Sequence, residues 1–134
     1  MKFYIASSFQ NVETVNALSS KLVENGFQQT YDWTQNEKSV GIEELKEIGI
    51  KEKEAVMECE LFILLLPGGK GSHTELGIAL GSGVKSIYIF AQHSENKKDS
   101  LATTFYHLPE VQIFCGSVGE FVDKVLKILG NKKR

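Results

Sequence analysis

The residue of this sequence best placed to do chemistry is Glu75, within residues 61–84, LFILLLPGGKGSHTELGIALGSGV. A continuous apolar run there is followed by a glycine-rich turn and a helical pattern, which predicts a buried strand, a turn and a helix. Glu75 falls in the predicted first turn of that helix, where the helix dipole favours an ionised carboxylate. An ionised carboxylate beside a glycine-lined hollow can act as a nucleophile.

The same residues also predict a purely structural role for Glu75. Residues 72–75, SHTE, form the pattern of a capping box with Ser72 as N-cap, in which the glutamate turns back to the N-cap amide. Residues 117–120, SVGE, repeat the pattern ahead of another apolar run. On pattern alone, Glu75 is either a helix cap or a catalytic carboxylate.

Other polar side chains follow predicted strands, at the edge where open α/β sheets bind ligands. Ser7 and Ser8 come after the first strand, and each either starts a turn or presents a hydroxyl to a sugar or phosphate. Asp32 and Trp33 come at the end of the second strand. They either cap and pack, or hold a nucleobase by hydrogen bonding and stacking.

A second carboxylate, Glu52, lies on the apolar stripe of a predicted helix, where burial of a lone charge is costly. It is either an edge residue whose carboxylate reaches water or an active-site acid. The spacing of the histidines and cysteines does not match that of a metal site; these residues are His73, His93, His107, Cys59 and Cys115. We therefore expect no metal and no cofactor.

The elements that must position these residues alternate between strands and helices. The patterns predict strands at residues 2–6, 27–33, 61–66, 86–91 and 111–115, and helices at 11–25, 42–59, 73 onward and 117–129. This alternation predicts an α/β fold with a doubly wound, five-stranded parallel sheet. We expect the flavodoxin-like strand order 2-1-3-4-5, with strands one and three side by side at the switch point. Residues 35–41 predict a loop that could close as a lid.

Composition excludes several classes of protein. The 134 residues predict one domain spanning 1–134. Fifteen basic against seventeen acidic residues leave a net charge of −2, which gives no basic footprint for nucleic acid. No apolar run approaches the length of a membrane span, and no secretion signal is visible. With two lone cysteines, these features predict a cytoplasmic protein with reduced thiols and no membrane partner.

Two segments carry a resemblance to a known family. Residues 3–8, FYIASS, and residues 67–90, PGGKGSHTELGIALGSGVKSIYIF, resemble the nucleoside 2-deoxyribosyltransferase-like family, whose helix begins with Glu-x-Gly-x-Ala. Here that motif is ELGIA, starting at Glu75. The resemblance implies that Glu75 attacks the anomeric carbon of a (deoxy)ribosyl group. It implies cleavage of the N-glycosidic bond of a (deoxy)nucleoside or nucleoside 5′-monophosphate, with transfer to a base or to water.

The resemblance also assigns roles around the nucleophile. In this family an aspartate on the second helix faces the glutamate; Glu52 is the nearest match, although it is Glu and not Asp. Glu52 or Asp32 would protonate or orient the leaving base. Tyr4 and Trp33 would hold that base by stacking.

Two further expectations concern the binding of a phosphate and the oligomeric state. The helix start would suit a 5′-phosphate through Gly69, Gly71, Ser72 and His73. The family often completes each pocket with a late segment of a neighbouring subunit, which here means Tyr106 and His107. Gly77 and Gly81 lie four residues apart on one helix face and would let it approach the sheet or a second subunit closely. We therefore expect a homodimer or higher homo-oligomer.

Two other functions fit the same residues. One is a non-catalytic module that binds a nucleotide or ADP-ribose, with Glu75 acting only as a cap. The other is an NAD glycohydrolase. The direction of the Glu75 side chain, toward a cleft or back onto the Ser72 amide, separates the catalytic interpretation from the cap.

Overall fold

The computed structural model describes residues 1–36, 40–92 and 103–130. The strands among them are β1 (Lys2–Ala6), β2 (Gln28–Gln29), β3 (Leu61–Leu65), β4 (Ser86–Ala91) and β5 (Val111–Cys115). The helices are α1 (Val12–Glu24), α2 (Ile42–Glu58), α3 (Lys70–Ser82) and α4 (Val118–Leu129).

The strands form one parallel sheet in the order β2-β1-β3-β4-β5, which confirms the predicted fold and strand order. Helices α1 and α4 contact each other, and so do α2 and α3. Right-handed crossovers place these two pairs on opposite faces of the sheet. Because β1 and β3 are neighbours, the segments that follow them meet at the switch point.

Burial explains why the central strands carry unbroken apolar runs. All five residues of β3 are buried, as are the last four of β1, because helices cover both faces of the sheet. Helix α4 presents a buried apolar stripe and is capped as predicted. The Ser117 hydroxyl accepts from the Glu120 amide at 3.1 Å, and the Glu120 carboxylate accepts from the Ser117 amide at 2.9 Å.

Strand β2 is much shorter than the prediction of 27–33. Its ladder ends after Gln29 because local side-chain bonds turn the chain away. The Asp32 carboxylate accepts from the Thr34 amide at 3.0 Å and caps a 3₁₀ turn over Trp33–Gln35. The Trp33 indole N–H then donates to the Ile5 carbonyl at 2.6 Å, which holds this turn against β1.

Helix α3 begins three residues earlier than predicted, at Lys70, with Gly69 as N-cap. The Ser72 hydroxyl accepts from the Gly69 amide at 2.7 Å and donates to the Gly69 carbonyl at 3.0 Å, so Ser72 caps from inside the first turn. Gly68 makes this possible, because a Cβ there would lie 2.6 Å from the Ser72 oxygen. Glu75 therefore lies in the second turn, away from the cap.

Some predictions fall on residues outside the described ranges. They concern residues 37–39 of the expected lid and His93. In the three described ranges, no helix combines the length and apolar character needed to cross a membrane.

Candidate active site

A cavity of about 330 Å³ lies at the carboxyl ends of β1 and β3. Its walls come from the segments after both strands, from the Trp33 turn and from α2. The lining residues are Ser7, Ser8, Phe9, Trp33, Glu52, Gly69, Gly71, Ser72 and Glu75. The sequence analysis named all of these except Phe9, so the fold brings eight of the predicted residues to one place.

Glu75 points at this cavity and does not cap its own helix. Its carboxylate accepts a hydrogen bond from the Tyr4 hydroxyl at 2.6 Å, and Ser72 fills the capping role. Glu120, which stands in the matching sequence pattern, does bond its N-cap amide. The interpretation of Glu75 as a helix cap is therefore wrong.

Tyr4 has a different role from the predicted stacking on a base. It is fully buried in β1, with its ring stacked on Phe62 at a centroid distance of 6.1 Å. No face of the ring is left for a ligand, so the stacking prediction is wrong. Burial and the nearby Glu75 charge both raise the pKa of the Tyr4 hydroxyl, so it remains protonated and donates to Glu75.

Glu52 reaches the same cavity from α2, and its carboxyl lies near enough to that of Glu75 for each to shift the pKa of the other. Burial raises the pKa of both groups, to about 8 for Glu75, where the charge of Glu52 adds to the effect and the Tyr4 hydroxyl opposes it. Two carboxyls in contact titrate as one unit. Near neutral pH the pair therefore shares a proton, which is the state that acid–base chemistry requires.

The serines after β1 are tied to the turn after β3. Ser7 donates to the Leu65 carbonyl at 2.9 Å and Ser8 to the Pro67 carbonyl at 3.1 Å. The Asn11 side-chain amide donates to the Ser7 oxygen and to the Pro67 carbonyl, both at 2.9 Å. Asn11 was missed by the sequence analysis. Its only signal is its place one turn after the serines, just before α1.

The aromatic wall of the cavity is arranged differently from the prediction. Trp33 lines the cavity, but only 5% of it is exposed. Phe9 packs edge-on against Trp33 with ring centroids 5.4 Å apart and is 39% exposed, so its ring is the accessible one. Asp32 does not line the cavity, because its carboxylate is held by the amide and hydroxyl of Thr34. Its predicted contact with a base is wrong.

His73 and Tyr106 bond to each other outside the cavity. His73 Nδ1 lies 2.8 Å from the Gly69 carbonyl and therefore carries the proton, which leaves Nε2 to accept from the Tyr106 hydroxyl at 2.5 Å. Tyr106 is only 2% exposed and packs within its own chain, and its contribution to a neighbouring subunit's pocket stays a prediction. His107 is exposed and also lies outside the lining of the cavity.

A second groove of about 610 Å³ runs along α3 beside residues 103–108. Gly77 and Gly81 line it, and no atom lies within 4 Å of the position of a Cβ on either residue. The prediction that they bring α3 close to the sheet is therefore wrong. Contact with a second subunit at this face stays a prediction.

The described residues offer no cluster of three His, Cys, Asp or Glu side chains that could hold a metal ion. Cys59 and Cys115 are free thiols. Burial raises the pKa of the Cys59 thiol to about 12, so this sulfur is a poor nucleophile. Among the described residues, the reactive groups of the cavity are thus its two carboxyls.

No protein-family model and no curated protein sequence matches this chain. A solved structure, the CMP N-glycosidase BcmB of Clostridium botulinum, matches with a TM-score of 0.62. The two chains are 18% identical, and the match covers 93% of this chain and 98% of the other. The two proteins share a fold, and the resemblance found in the sequence is confirmed at that level.

Proposed function

We propose that this protein cleaves the N-glycosidic bond of a (deoxy)nucleoside or nucleoside 5′-monophosphate, with Glu75 as nucleophile and Glu52 as acid and base. The observation that carries the proposal is the paired carboxyls in a cavity, with Glu75 released from capping and held by Tyr4. The fold shared with an N-glycosidase supports it.

In the first step, the Glu75 carboxylate oxygen attacks the anomeric carbon. The bond from this carbon to the base breaks, and its electron pair moves to the base nitrogen. Glu52 supplies the proton that neutralises the leaving base. This step needs the shared proton on Glu52 and an ionised Glu75. The interaction between the two carboxyls raises the pKa of Glu75 and lowers that of Glu52, which favours the proton on Glu75, whereas the Tyr4 hydroxyl stabilises the Glu75 carboxylate that attacks.

In the second step, Glu52 takes a proton from water or from an incoming base, which attacks the same carbon and releases Glu75. Contact between the two carboxyls supports this double displacement. An inverting glycosidase keeps its carboxyls about 6.5–9.5 Å apart to admit a water between them. We therefore expect retention at the anomeric carbon.

The walls of the cavity suit the two halves of a nucleoside. The exposed ring of Phe9, backed by Trp33, offers a surface on which a base can stack. Ser7 and Ser8 also belong to the lining, and their hydroxyls suit sugar hydroxyls.

The test is base release from a panel of nucleosides, nucleotides and NAD, with and without an acceptor base, followed by chromatography. Glu75→Gln should lower the rate by at least about 10³-fold, because the nucleophile is lost. Glu120→Gln is the matched control, since it alters a glutamate with a real capping role on α4. Equal loss in both variants would contradict the proposal. If the wild type binds a nucleotide without cleaving it, the non-catalytic module is favoured. If it cleaves NAD and no other substrate, the NAD glycohydrolase is favoured.

We also propose that a second copy of the chain covers the face formed by α2 and α3. Only two of the seventeen residues of α2 are buried, while Ile42, Leu45 and Met57 are all more than half exposed. Phe105, 59% exposed, borders the adjacent groove. Light scattering should give twice the chain mass, and Leu45→Lys should give a monomer. A wild-type monomer would contradict this assembly.

A further inference from the structure

The polar side chains of the cavity offer a ligand mainly hydrogen-bond acceptors. From this we infer that the site takes the uncharged nucleoside and disfavours its 5′-monophosphate. The inference rests on the proposed function and decides between the two substrate classes that it leaves open.

The serine hydroxyls supply the first argument. A hydroxyl has one proton to donate. Those of Ser7, Ser8 and Ser72 go to backbone carbonyls of the surrounding turn, at 2.9, 3.1 and 3.0 Å. The oxygens that remain can accept from sugar hydroxyls, whereas a phosphate offers only further acceptors.

Asn11 keeps the serines in this state. Both bonds from its side-chain amide at 2.9 Å, to the Ser7 oxygen and to the Pro67 carbonyl, stay within the wall of the cavity. The Asn11 protons are thus not free for a phosphate, and Ser7 is fixed with its own proton on Leu65.

The charges of the cavity lining also disfavour a phosphate. The described lining of the cavity contains two carboxyls and no lysine, arginine or histidine. Lys70, the first residue of α3, lines the second groove instead. A phosphate dianion placed here would face at least one carboxylate without a cation to offset the repulsion.

One feature favours an anion, namely the amino-terminal turn of α3. Its Gly69 amide, however, already donates to the Ser72 oxygen at 2.7 Å. The cap therefore consumes part of the anion-binding capacity that a phosphate would use.

The experiment measures kcat/KM for matched pairs of each nucleoside and its 5′-monophosphate, in ribose and deoxyribose forms. We expect the nucleoside to be favoured by roughly tenfold or more, because like charges in a cavity repel. Equal values, or a preference for the monophosphate, would overturn the inference while leaving the glycosidic activity in place. Titration calorimetry of Glu75→Gln with the same pairs gives the preference without turnover. Absence of both binding and base release would overturn the proposed function as well.

Two further variants, one that adds a lysine and one that removes a lysine, make the test more specific. Ser8→Lys places a cation at the cavity and should move the ratio of the two kcat/KM values toward the monophosphate by about tenfold, since opposite charges attract there. Lys70→Gln, at the second groove, should leave the ratio unchanged. A selective loss of monophosphate cleavage in Lys70→Gln would show that this lysine binds phosphate and would overturn the inference.

Discussion

The Tyr4 hydroxyl donates a hydrogen bond to the Glu75 carboxylate at 2.6 Å. This bond links β1, at the residue that pairs with Phe62 of β3, to the second turn of α3. The donor is fixed, because the Tyr4 ring is stacked on Phe62 inside the sheet. A rigid donor that stabilises negative charge offsets part of the effect of burial on the Glu75 pKa.

Tyr4→Phe should therefore raise the pKa of Glu75 further and reduce the fraction ionised at pH 7. We expect a lower kcat at neutral pH and an acidic limb of the rate profile shifted to higher pH, with activity partly restored under alkaline conditions. The measurement is kcat against pH for base release. An unshifted limb would mean that Tyr4 does not control the ionisation of Glu75.

Glu52→Gln should remove the proton donor and spare the nucleophile. We expect loss of about 10²–10⁴-fold with poor leaving bases, the usual contribution of a general acid, and a much smaller loss with an activated leaving group. Glu54→Gln, on the exposed side of α2, is the matched control and should retain full activity. The role of Glu52 as acid would be refuted by equal losses for both kinds of leaving group.

Glu75→Gln should also change how stability depends on pH. The folded-state pKa of about 8 lies above the ordinary glutamate value of 4.5, so the folded protein binds more protons between these limits and its stability falls as pH rises. The variant lacks this effect. It should be more stable than the wild type at pH 8, by on the order of a few kcal/mol, and similar at pH 4. Urea unfolding at both values measures the difference.

Glu120→Gln should change the stability at pH 8 in the opposite direction, measured by the same urea unfolding. The Ser117 amide and hydroxyl lower the pKa of Glu120, so its contribution to stability is present above the ordinary glutamate value of 4.5 and is lost as pH falls. This variant should be less stable than the wild type at pH 8. A loss of stability at pH 8 in both variants would contradict the burial of Glu75.

Phe9→Ala should weaken binding of the base, because it removes the exposed ring at the cavity wall. We expect KM to rise by about tenfold, the value of one aromatic contact of roughly 1.5 kcal/mol, with kcat little changed. Phe105→Ala removes an exposed ring at the other groove and should leave KM unchanged in a protein of the same oligomeric state. An unchanged KM in Phe9→Ala would place the base elsewhere.

The sequence was sufficient for the sheet and for much of the cavity. Strands β1, β4 and β5 match their predicted limits, because short apolar-rich segments bounded by polar residues and glycine are strong signals. The expected flavodoxin-like strand order is the observed one. The rule that ligands bind at the carboxyl edge of the sheet pointed to Ser7 and Glu75, and Glu52 was found by its place on an apolar stripe and by the family resemblance; all three line one cavity.

Side-chain direction was harder to predict than position. The pattern at 72–75 matches that at 117–120, yet only Glu120 caps its helix. The difference comes from Gly68 and Gly69, which let Ser72 cap the helix from within the first turn. Tyr4 likewise resembles a ligand-stacking residue in sequence, and only the packing of β1 against β3 shows that its ring is enclosed.

Tyr4, the donor to Glu75, belongs to an interior strand of the sheet, since β1 lies between β2 and β3, and β3 between β1 and β4. Backbone amide protons in such strands exchange with solvent only when the domain opens as a whole. Mild heating should therefore leave the Tyr4–Glu75 contact in place until the cooperative transition. Thermal inactivation and global melting should follow the same curve.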